Sequence, residues 1–191
     1  MTPAPASGLN ALIEQCQRLE AALNAGKAPG TAASMHRFVA EMETEEGRAP
    51  PGTWSPLVLS VLVMAGGLGV GIELLSLLLR FVGPAMAAFA LVAVCAGTAL
   101  ALAIGMVLMM AGRVQGVVLL KRVCIGLIVV GSFGGIAWTQ GDVRAVGPVV
   151  AVLGGLGAWL VMNSSGFYVF VGYRVALRCL ARGDNDHASS V

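Results

Sequence analysis

The sequence predicts an all-α integral membrane protein, with four transmembrane helices set as two duplicated helical hairpins behind a small helical N-terminal cytoplasmic region. Three observations point there. Of 191 residues, 57 % are hydrophobic and 12 % charged, where soluble domains carry about a quarter charged residues. The apolar residues gather in four long runs after Pro56, while the first 53 residues hold six of the ten acidic groups. Finally, RFVGP from Arg80 to Pro84 returns as RAVGP from Arg144 to Pro148 at a shift of 64, which also places Gly67 on Gly131, Gly71 on Gly135, Ile72 on Ile136 and Ala87 on Ala151. The organisation read from this is a head over 1–53, hairpins over 54–112 and 113–175, and a polar tail over 176–191.

The head contains a short seam, Leu9, Leu12, Cys16, Leu19 and Leu23, spaced by 3, 4, 3 and 4 residues with Ser7 placed to cap it. After the breaker NAGKAPG, a second amphipathic stretch from Thr31 to Glu46 puts Met35, Phe38, Val39 and Met42 along one side. Both stripes are too small to form a core alone. They are expected to dock on the connection between spans 2 and 3 or on another protein, with Leu12, Leu19, Phe38 and Met42 as contact candidates. The opening MTPAPASG has neither a basic n-region nor an apolar h-region, so the first span is expected to act as the insertion signal.

Span 1 runs from Ser55 to Leu79 and span 2 from Gly83 to Met110, both longer than the roughly 20 residues that cross the hydrocarbon. Span 3 reaches Trp138 and draws Val117 to Leu120 into the helix while Lys121 and Arg122 snorkel. Span 4 is read as one helix from Gly147 to about Tyr173, carrying the polar patch Asn163, Ser164 and Ser165, with Asn163 expected to need a neighbouring helix. GlyPro is expected to start spans 2 and 4, where proline's missing amide hydrogen costs nothing.

Ten basic residues fall on the side of the termini (Arg18, Lys27, Arg37, Arg48, Arg113, Lys121, Arg122, Arg174, Arg178 and Arg182), against Arg80 and Arg144 on the other. The positive-inside rule then predicts a multi-pass bacterial inner-membrane protein with both termini cytoplasmic, Trp54 and Tyr173 at the inner interface and Trp138 at the outer one. In that topology the two hairpins point the same way, related by an axis along the membrane normal.

Two features carry candidate chemistry. The first is a pair of GxxxG segments at repeat-equivalent positions, Gly67 with Gly71 and Gly131 with Gly135. Their spacing lets another backbone approach, and they are expected to pack span 1 on span 3 or on another subunit. The second is Glu73, roughly 7 Å from the midplane by the rise of a helix. A carboxyl at that depth must be protonated, paired or facing water. Arg80, two turns outward, is the expected partner within the chain.

Cys16, Cys95, Cys124 and Cys179 show no metal-ligand spacing, and His36 and His187 lie in head and tail, so no metal, disulfide or cofactor is expected. No catalytic or nucleotide-binding motif occurs, and the head, with four basic and six acidic residues, has no nucleic-acid patch. The expected role is that of a non-catalytic accessory, scaffold or assembly subunit of a larger membrane complex, with other integral subunits, its own copies and lipids as partners. The alternative is a small oligomeric channel or transporter using Glu73 in a proton or cation path.

Overall fold

The computed structural model describes residues 54–139 and 146–188, with side chains over 54–136 and 146–178, together with Leu9, Asn10, Ile13, Glu14, Gln17 and Arg18 of the head. Within the described residues from 54 onward, five helices follow in order: α1 (Trp54–Phe81), α2 (Pro84–Met110), α3 (Val114–Thr139), α4 (Val146–Met162) and α5 (Ser165–Ala188). The first three are each long and apolar enough to cross a membrane, and α4 with α5 makes a fourth span if the bent pair is counted as one. The chain is thus a multi-pass, all-α membrane protein.

The connections follow from their residues. Gly83 takes φ 89°, a left-handed conformation open to glycine, and Pro84 occupies the first turn of α2. Gly112 takes φ 66°, and its N–H and that of Arg113 return to Met109 O and Leu108 O, a glycine-terminated helix end that satisfies orphan carbonyls. The two GlyPro copies are used differently. Gly83 precedes α2, whereas Gly147 lies inside α4, which begins at Val146.

The fourth span departs from the single helix expected from its apolar run. It breaks at Asn163 and Ser164, and α5 leaves α4 at 60°. The polar patch makes the break. Ser164 Oγ accepts the Phe167 N–H at 3.3 Å and donates to Val161 O at 2.7 Å, so it caps the start of α5. Asn163 Nδ2 donates to Trp159 O, and Tyr168 donates its hydroxyl to Asn163 Oδ1. Asn163 therefore spends its amide at its own break, on α4 and α5, rather than on another span.

α1 packs against α2, α3 and α4, while α3 packs against α2 and α4. Adjacent glycines on α1 face different neighbours: a Cβ at Gly67 would meet Thr98 of α2, and one at Gly66 would meet Leu127 of α3 and the α4 backbone at Ala151 and Gly155. The main apolar core gathers at the end where α2 meets α3. Leu59 and Val63 of α1, Met109 of α2, Val117, Leu120 and Cys124 of α3, Met162 of α4 and Phe167 and Phe170 of α5 meet there. Tyr173 is buried beside Ala176 in a small cluster of α5. Trp54, at the start of α1, is 77 % exposed.

The head enters the same end of the bundle. Leu9 is buried in the core cluster with Ile13 packed against it, and Lys121 of α3 donates to Asn10 Oδ1 at 2.7 Å. Ile13, outside the predicted seam, is thus a contact residue that the heptad spacing did not single out. Leu12, Leu19, Phe38 and Met42 lie outside the described residues, as does the side chain of Trp138.

Candidate functional site: the glycine-packed helix faces and Glu73

Glycine content decides how closely these helices approach. In lipid no hydrophobic drive holds one helix to another, so association rests on van der Waals contact, which small residues extend to the backbone. One close crossing joins α1 to α4. A Cβ on Gly154 would come within 2.6 Å of Gly66 N, and one on Gly69 within 2.5 Å of Ala151 N. Backbone atoms cannot turn aside as a side chain can. A second crossing joins α2 to α3, where a Cβ on Gly116 would lie 2.5 Å from Gly105 O.

The two predicted GxxxG pairs do not join α1 to α3. Gly67 and Gly71 face α2, against Thr98 and Leu91, and Gly131 faces α4, against Ala151 and Val152. Gly135 has no atom within 4 Å of a built Cβ. Each packed pair member therefore faces the other helix of its own hairpin, but in different register. The residue that corresponds to Thr98 at the repeat shift of 64 is Met162, whereas Gly131 meets Ala151 and Val152.

Glu73 is the buried polar or charged residue among the described side chains, at 5 % exposure. Its carboxyl rests against Gly134 of α3, one position from the predicted Gly135, and its backbone N lies 2.9 Å from where a Cβ on Gly147 of α4 would stand. Oε2 has no hydrogen-bond partner. Arg80 is exposed near the end of α1, so the acidic and basic members of the expected pair stand in different environments. Ser76 Oγ donates to Glu73 O at 2.8 Å, a backbone contact that leaves the carboxyl unserved.

Three further hydroxyls of the spans act locally. Ser60, Thr98 and Ser132 donate to Pro56 O, Val94 O and Ile128 O, each one turn back, as serine and threonine do in apolar helices. Cys124 and Met162 bring their sulfurs to 3.9 Å inside the core. Among the described residues no three His, Cys, Asp or Glu side chains gather in a metal-binding group. Comparison with protein-family models, curated proteins and solved structures finds no match to this chain.

Proposed function

We propose that this chain is a non-catalytic accessory or assembly subunit of a larger bacterial inner-membrane complex, held with both termini in the cytoplasm. One observation carries the reading: the bundle uses part of its glycine for internal packing and leaves part unused on its outside. Gly97 of α2 and Gly126 of α3 are exposed, and a Cβ on either would meet nothing within 4 Å. Glycine in a helix costs about 1 kcal/mol relative to alanine, and neither position needs it for the contacts of the isolated chain. A second helix approaching closely from outside would use it. The partner class on these faces is therefore another, unlike integral membrane subunit, with further copies of this chain and lipid on the rest of the surface and the polar head available to a cytoplasmic protein.

The experiment compares Gly97→Leu and Gly126→Leu with Val92→Leu, an exposed α2 position without glycine. Retention of a specific unlike subunit should fall in the first two and persist in the third, with helical content unchanged. Equal retention in all three removes the assembly role of these faces.

A second reading, the small oligomeric channel or transporter, is favoured by the unpartnered Oε2 of Glu73. Glu73→Gln keeps the size of the side chain but cannot exchange a proton in the same way. In reconstituted vesicles, robust proton or cation flux in the parent that is lost in an intact Glu73→Gln protein would establish transport in place of assembly. Absence of parent flux alongside retained partners sets it aside.

A further inference from the structure

The two ends of the bundle are packed by different means. The largest fully buried side chains, among them Leu59 and Val63 of α1, Leu120 of α3 and Phe167 of α5, gather at the end where α2 meets α3. Toward the other end α1 is lined by small residues: beyond Val63 its buried positions are Gly66, Gly67, Gly69, Gly71 and Glu73. Gly69 and Glu73 meet the α4 backbone at Ala151 and Gly147. Contacts of this kind bury little apolar surface, so this end is held less firmly than the core end.

Glu73 sits in that seam. Its carboxyl abuts Gly134 of α3 and its backbone N faces Gly147 of α4, which leaves the residue 5 % exposed, with Oε2 lacking a hydrogen-bond partner. The helices packed around it bring no charge. Over 84–110 of α2, 123–136 of α3 and 146–162 of α4 there is no charged side chain, and the titratable groups are the thiols of Cys95 and Cys124. On α1 itself, Arg80 is exposed about 10 Å further along by helix rise. A carboxylate enclosed with neither water nor a cation against it is strongly disfavoured relative to the neutral acid.

We infer that Glu73 is a proton-binding site, holding one proton while α1 is closed on α3 and α4 and releasing it only when the glycine seam parts and water reaches the carboxyl. The proton latches the seam. Raising the pH favours the parted form, because that form gains the ordinary ionisation of a hydrated glutamate and the closed form does not. Well below the usual glutamate range both forms hold the proton and the dependence vanishes. The inference concerns the packing of one chain, and it holds whether the bundle assembles with partners or carries ions.

The test uses the full chain in phosphatidylcholine nanodiscs. Its infrared spectrum at pH 7 should contain the carbonyl stretch of a neutral carboxylic acid, shifted by 13C labelling of glutamate and absent from Glu73→Gln. Amide hydrogen exchange, corrected for the intrinsic rate, should lose protection over 69–77 of α1 and 147–154 of α4 by about tenfold per pH unit between pH 6 and pH 8, the effect of one proton released on opening. Glu73→Gln has no proton to release and should show no such dependence, while residues 59–63 keep their protection in both proteins. A parent without a neutral-glutamate band overturns the site whether or not any variant folds, and is the result an ion pair with Arg144, which lies outside the described residues, would give. Persistence of the band in Glu73→Gln overturns it likewise. Equal pH dependence of exchange in the two proteins overturns the link between the proton and the seam.

Discussion

The carboxyl of Glu73 lies where the Cβ of any larger residue at position 134 would have to be, so the absence of a side chain on Gly134 is what admits Glu73 between α1 and α3. The pair explains how an acidic residue survives inside an apolar span. It is enclosed by helix backbone rather than matched by a charge on α3 or α4, whose described residues around Gly134 and Gly147 carry none. It also predicts a coupling. Gly134→Ala should destabilise the bundle by about 1–3 kcal/mol, the range for overpacking a filled site. In a Glu73→Ala background the same change should cost at least 1 kcal/mol less, roughly the scale of coupling between contacting residues. Denaturant unfolding in mixed micelles gives both values, and additive effects would place the carboxyl elsewhere.

Glycine substitutions should rank by what the new Cβ meets. Gly154→Ala encounters Gly66 N at 2.6 Å and Leu62 O at 2.7 Å, whereas Gly71→Ala meets first the Leu91 Cδ1 at 2.5 Å, an atom that can rotate away. Gly97→Ala meets nothing and should be neutral or stabilising, by up to about 1 kcal/mol from helix propensity. The expected order of loss is Gly154, then Gly71, then Gly97. Thermal unfolding in one detergent checks it, and a Gly97 loss exceeding that of Gly154 would contradict the α1–α4 crossing.

Ser164→Ala should cost about 1 kcal/mol, the usual value of a lost N-cap. The damage should be local, with amide hydrogen exchange accelerating at Phe167 and its neighbours in α5 while the middle of α1 keeps its protection. Uniform acceleration through both helices would mean that the break at Asn163 and Ser164 holds the whole bundle rather than the start of α5.

Orientation is tested at the helix ends. Cysteine introduced at Val82, which is half exposed in the α1–α2 turn, should react with a membrane-impermeant maleimide added from outside. Cysteine at Gln115, exposed at the start of α3, should react only after the membrane is opened. The reverse pattern would overturn the topology drawn from the ten-to-two distribution of basic residues.

The first three spans were legible because each apolar run ends at a chemical boundary: Arg80 before Gly83 and Pro84, Gly112 after Met110, and the polar residues beyond Trp138. The observed helices α1 and α2 end within two residues of those expectations. The break in the fourth is not legible, because Phe167 to Tyr173 continue the apolar run past Ser164 and conceal its capping role. Glycine spacing gave the faces but not the neighbours. One residue turns a helix by about 100°, which is why Gly66 faces α3 and α4 while Gly67 faces α2, and why Gly134 rather than Gly135 receives Glu73. The depth of Glu73 was visible along the chain. Its enclosure depends on residues 61 and 74 positions away, which periodicity within one helix cannot relate.

The most direct test of the assembly role is the mass of the native particle, extracted with its surrounding lipid into polymer-bounded discs and measured without crosslinking. The expected result is a particle in which the 19.5 kDa chain is joined at fixed ratio by an unlike membrane polypeptide, and that polypeptide should be lost in Gly97→Leu or Gly126→Leu while the chain stays folded. A particle containing this chain alone, as a monomer or as a closed ring of identical copies, would contradict the role in a larger mixed complex.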